Sequence, residues 1–162
     1  MDEANKLLDK LKKAGIRIKL DDSNKTPGFK FAEQEMLGIP TRIEIGPKDI
    51  ENNQVVVVRR DNGEKITVQL DKIEEKLPII LEEVQKNMYD KAKKFLDSHI
   101  SSTDNMDDMI NYFNNNSGFV KAMWCGDEKC ESDIKHATGG AGSRCIPFDE
   151  EKVIEELKEN IY

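Results

Sequence analysis

The 162-residue chain has no apolar run long enough to span a bilayer and no apolar segment near Met1 of the signal-peptide kind. No membrane partner is expected. It has only three cysteines, too few and too odd a number for a disulfide framework, so a reduced, cytoplasmic compartment is expected. It has no excess of positive charge: 25 Lys and Arg stand against 32 Asp and Glu, a net charge of −7. Phosphate-driven nucleic-acid binding needs clustered Lys and Arg, so the mean charge excludes a broad electrostatic binder; it does not exclude a small local site. Aromatic residues are scarce, at 6%. Hydrophobic residues make up 37%, and at this length they can bury a real core in one ordinary domain or two small ones.

Periodicity divides the chain into helices and strands. Leu7, Leu8, Leu11 and Ala14 form one helical stripe that Gly15 closes. Residues 16–20 alternate strictly and predict a half-buried strand. A polar turn ending in Pro27-Gly28 leads to a helix over 29–37, and residues 41–45 form a second alternating strand. Four successive valines, Val55 to Val58, predict a strand buried on both faces. Asp61-Asn62-Gly63 is a hairpin turn, and residues 65–69 return as the partner strand. A long helix follows: Asp71 and Glu74 form a capping pair for its first turn, apolar residues from Leu77 to Phe95 keep helical spacing, and Pro78 lies early in it, which a start nearer Leu77 tolerates better. Beyond a polar junction, residues 104–114 and 128–137 predict helices, and 119–124 and 144–147 predict strands. Residues 149–162 are helical by propensity. The alternation of strands and helices indicates an α/β protein of two modules, 1–103 and 104–162.

Three features carry chemistry. The first is Phe31, Glu35, Arg42 and Lys65, with Arg59-Arg60 nearby. Glu35 follows Phe31 by four residues on one helix, so the two share a face. An aromatic to stack on, a carboxylate and two cations suit guanine, which offers N1–H and N2–H as donors and O6 and N7 as acceptors. The plain alternative is a core phenylalanine beside solvated charges. The second feature is Cys125 and Cys130, whose C-x4-C spacing fits half of a structural zinc site. No second close pair follows; Cys145 and His136 are the other candidate donors, and reduced, partly buried thiols are the simpler reading. The third is the glycine-rich run 138–143. It lacks the Lys-Ser or Lys-Thr and the following helix of a phosphate loop, which leaves a flexible connection.

The blocks Thr26-Pro27-Gly28-Phe29-Lys30-Phe31, Gly38-Ile39-Pro40-Thr41-Arg42-Ile43-Glu44-Ile45-Gly46-Pro47-Lys48-Asp49 and Val58-Arg59-Arg60-Asp61 resemble the anticodon-binding domain of prolyl-tRNA synthetases of the archaeal/eukaryotic-like type. Trp124-Cys125-Gly126 with Cys130, then Arg144-Cys145-Ile146-Pro147-Phe148, resemble the C-terminal domain of the same enzymes. The resemblance implies a mixed sheet between helices over 1–103, then a small α/β domain over 104–162 that binds zinc in many members. It implies that Phe31, Glu35, Arg42 and Lys65 recognise guanines of the proline anticodon. It also implies departures. The family's domain opens with a strand ahead of the first helix, so the sheet is expected to be one strand short. The catalytic domain that binds ATP and proline is absent, so no activity is expected from this chain alone. The zinc-bearing members carry a C-x2-C hairpin where residues 149–160 are acidic here, so Cys125 and Cys130 stand as half of a zinc site whose second pair is replaced; zinc is the one cofactor such a site would take, and ATP belongs to the missing catalytic domain. The partners implied are proline tRNA and the rest of a synthetase, itself a homodimer. The alternatives are a free-standing RNA-binding module acting in trans and a non-catalytic interaction protein.

Overall fold

The computed structural model describes residues 2–148, 151, 152, 154 and 155. The helix expected over 149–162 lies largely outside them. The chain forms two compact units, Met1–Lys91 and Ala92–Tyr162, a division that falls inside a helix.

In the first unit, α1 (Asp2–Lys13) buries Leu7 and Leu11. Gly15, at φ +80°, closes it: its N–H donates to the Lys12 carbonyl and the Ile16 N–H to the Leu11 carbonyl, both at 3.0 Å. The segment 16–20 then runs with the expected alternation, Ile16, Ile18 and Leu20 half-buried and Arg17 and Lys19 exposed. Yet it is not a strand, because it joins no ladder among the described residues. Alternation reports which side faces the core; a strand also needs a hydrogen-bonded neighbour. Next, α2 (Pro27–Met36) begins two residues earlier than expected. Pro27 sits in its first turn, where a missing N–H costs nothing.

The sheet has the order β1-β2-β3, from β1 (Thr41–Glu44), β2 (Gln54–Arg59) and β3 (Lys65–Gln69), and both pairings are antiparallel. A short helix, α3 (Pro47–Glu51), interrupts the β1–β2 connection; five residues are too few to show helical periodicity. Gly63, at φ +75°, makes the hairpin turn into β3. Central β2 carries the valine run: Val55 and Val57 are fully buried and Val58 nearly so. The long helix α4 (Ile73–Asp97) starts where the Asp71 and Glu74 pair placed it, not nearer Leu77, and carries Pro78 inside it. In the second turn the proline removes one hydrogen bond, and Ile73, Leu77, Ile80 and Val84 still bury a single face. The core joins Leu7 and Leu11 of α1, Val55, Val57 and Val68 of the sheet, and the first turns of α4. Lys10 ties α1 to this packing, donating to the Leu70 carbonyl at 2.8 Å and lying 3.5 Å from Glu74.

In the second unit, β4 (Ile100–Ser102) and β5 (Phe119–Lys121) pair in parallel around α5 (Met106–Asn115). Parallel pairing needs such a crossover. Asn105 caps α5 by accepting the Asp108 N–H at 2.9 Å. Gly118, at φ +145°, precedes β5 where a Cβ would stand 2.1 Å from the His99 carbonyl oxygen, so no other residue fits. Helix α6 (Glu128–Ala137) matches its expected bounds, capped by Asp127. The strand expected over 144–147 is irregular, exposed chain. Ile146 is exposed and Pro147 has no N–H for a ladder.

Candidate nucleic-acid interface

The register of the sheet sets the site. Arg42 pairs with Val58, and Val58 with Lys65, so the three lie in one row across the strands on the same face. Val55, Val57 and Arg59 alternate to the other face, in or beside the core. Phe31 and Glu35, one turn apart on α2, meet Arg42 on the open face. The Arg42 guanidinium carbon stands 4.2 Å from the Phe31 ring centre, and its terminal nitrogen pairs with a Glu35 carboxylate oxygen. Its Nε donates to Glu44 Oε1 at 2.8 Å. Burial works against the Arg42 charge, but the hydrogen bonds to Glu44 and Glu35 outweigh it and hold the guanidinium above its ordinary pKa.

Phe31, Glu35 and Arg42 line a cleft with Gln34, Ile39 and Arg60. It holds only about 10 Å³ of free volume. The Arg42 guanidinium covers the Phe31 ring face and pairs with the Glu35 carboxylate. Lys65 is mostly exposed and stands outside this lining, joined to it through Glu44, whose Oε2 lies 3.7 Å from Lys65 Nζ. Three of the four expected residues therefore touch, and the fourth is linked by a carboxylate that the sequence reading passed over. Its signal was present: Arg42 and Glu44 are two apart on an alternating strand, which puts them on one face.

Arg59, grouped with Arg60 as a nearby cation, is not available to a ligand. Its side chain is 8% exposed and engages Asp61 in two hydrogen bonds, at 3.1 and 2.8 Å. Glu64 and Glu83 approach it at 3.3 and 3.1 Å. Asp61 is fully covered and also accepts from Asn87 of α4. The Arg59 guanidinium holds the Asp61 carboxyl down at about 2. This network fastens the β2–β3 hairpin to α4, since Lys91 also donates to the Asp61 carbonyl at 2.8 Å. Arg60 lines the cleft instead.

Known proteins match both units. The family described as "Anticodon binding domain" matches residues 1–78, and "Prolyl-tRNA synthetase, C-terminal" matches residues 106–161. A proline–tRNA ligase of Lachnospira eligens is 49% identical over 94% of this chain and 32% of its own length. One from Agathobacter rectalis is 51% identical over 97% of this chain and 32% of its length. A crystal structure of prolyl-tRNA synthetase from Cryptosporidium parvum, complexed with halofuginone and AMPPNP, superposes with a TM-score of 0.83 at 41% identity. That match covers 90% of this chain and 31% of the other. The chain belongs to the prolyl-tRNA synthetase family. It spans about a third of the length of the curated relatives it matches.

In the prolyl-tRNA synthetase C-terminal unit, Cys125 and Cys145 are exposed and Cys130 is half-buried. Cys125 and Cys130 are hydrogen-bonded, which raises the Cys130 thiol above its ordinary pKa. Among the described residues no group of three or more His, Cys, Asp or Glu side chains could hold a metal. A structural zinc site needs four donors, and two thiols do not fit it. His136 lies six residues after Cys130 on α6, on a different side of the helix. The glycine-rich run does one defined job. Gly139, at φ +71°, ends α6, with the Gly140 N–H donating to the Lys135 carbonyl at 2.8 Å.

Proposed function

We propose that this chain reads the anticodon of proline tRNA for a longer prolyl-tRNA synthetase. The single observation that carries this reading is the Arg42 cluster: one guanidinium stacked on Phe31 and paired with Glu35. A guanine brings both of the replacements such a pair requires. Its N1–H and N2–H suit the Glu35 carboxylate, and its O6 and N7 suit the Arg42 fork. Phe31, once uncovered, offers a stacking face. Lys65, exposed and tethered through Glu44, supplies a second cation for a neighbouring guanine or phosphate.

The chemistry here is recognition without covalent steps. ATP-dependent attachment of proline to the tRNA is assigned to the part of the relatives' length that this chain does not span, and ATP and proline bind there. The expected working division is an anticodon module over 1–103, which keeps α4 whole, and a C-terminal domain over 104–162. Cytoplasmic protein synthesis is the setting that fits three free thiols, and no helix among the described residues is long and apolar enough to cross a membrane. Arg42→Ala tests the assignment. Binding of a proline anticodon stem-loop should weaken by about 1–3 kcal/mol, the worth of a bidentate base contact. Unchanged binding in a fluorescence titration would remove Arg42 from the site.

A further inference from the structure

Arg42 is held by three side chains, and a guanine would claim two of them. Stacking on Phe31 displaces the guanidinium from the ring, and pairing with Glu35 takes the carboxylate that Arg42 holds in the free chain. The third contact, Arg42 Nε to Glu44 Oε1 at 2.8 Å, uses neither terminal nitrogen. It can persist while those nitrogens turn toward O6 and N7. Glu44 is well placed to hold on. It is 24% exposed against 51% for Glu35, and it sits in the β1 ladder opposite Val56. Its other oxygen lies 3.7 Å from Lys65, two strands away from β1. Without that carboxylate, the two cations of the row would repel and splay outward.

We propose that Glu44 is the positioning residue of the site. It keeps Arg42 aimed into the cleft after the base has taken Phe31 and Glu35, and it yokes Lys65 to the same row. It touches no base. This rests on the reading of Arg42 as a base-contacting residue.

The test uses the 162-residue chain, the proline anticodon stem-loop, and the same loop with its anticodon guanines replaced by adenines. Glu44→Ala should weaken binding of the guanine loop about tenfold, the usual worth of a charge-assisted hydrogen bond, and leave the adenine loop unchanged. Glu44→Gln retains an acceptor for Nε and should recover part of the loss. In nitrogen-edited proton spectra the Arg42 Nε–H signal should persist from the free to the bound parent chain and vanish in Glu44→Ala. Thermal unfolding midpoints should match. Guanine-loop binding by Glu44→Ala equal to the parent's overturns the proposal. So does equal weakening for both loops with a lowered midpoint, the result of a merely structural role. Arg42→Ala separates the failures. If it binds like the parent, base reading by Arg42 falls and the Glu44 role falls with it. If it weakens binding while Glu44→Ala does not, only the positioning role is lost.

Discussion

At the scale of single residues, two arginines in similar sequence surroundings have opposite jobs. Arg42 faces an open cleft and is held by groups a ligand can replace. Arg59 faces the other way, its own side chain nearly buried against the covered Asp61 carboxylate. The parity of the strand decides between them, and parity is visible in sequence once the register is known. The partners are not. Arg59-Arg60-Asp61 reads as three surface charges, and nothing in it announces that Asp61 is fully covered and shared with Asn87 of α4. The network makes a prediction. Asp61→Ala leaves a buried guanidinium short of its main partner and should cost about 3 kcal/mol in urea unfolding. Glu83→Ala removes an exposed partner and should cost under about 1 kcal/mol. The pH dependence has a fixed sign. Asp61 is lowered from 3.8 to about 2 in the folded chain, so the unfolded chain binds more protons between those values. Its contribution is complete above about pH 4 and is lost as the pH falls toward 2. Urea midpoints measured across that window should fall more steeply for the parent than for Asp61→Asn.

At the scale of elements, the sequence was legible where burial and hydrogen bonding agree. The valine run is the central strand, the Asn-Gly turn makes the hairpin, and α6 ends where its glycines begin. It misled where they part. Residues 16–20 alternate as a strand does and pack Ile16 and Ile18 on the core, but find no ladder among the described residues. The three-residue strand β4 is too short for any period and falls in the stretch expected as a polar junction, whereas β5 lies within the strand expected over 119–124. Their pairing hangs on Gly118. Gly118→Ala would drive a Cβ against the His99 carbonyl and hold an L residue at φ +145°, a cost of about 2–3 kcal/mol. Amide exchange should show it locally: Phe119 and Thr103, whose N–H groups donate to the His99 and Lys121 carbonyls, lose protection, while Val57 in the other unit keeps it.

At the scale of the whole molecule, the net charge of −7 describes a protein that does not gather RNA by charge. Residues 149–162 alone hold six acidic residues against two lysines. The cations beside the cleft are few: Arg42, Arg60 and Lys65. Binding should therefore depend weakly on salt. With two or three phosphate contacts at most, the slope of log affinity against log salt should be about −2, far shallower than for a basic RNA-binding surface. Under the proposed function, specificity then comes from the bases and not from the phosphates. The most direct measurement is a titration of this chain with two stem-loops that differ only in the anticodon guanines. Reading of guanine through Phe31, Glu35 and Arg42 predicts at least about tenfold tighter binding of the guanine-bearing loop. Equal affinity for the two loops would contradict it.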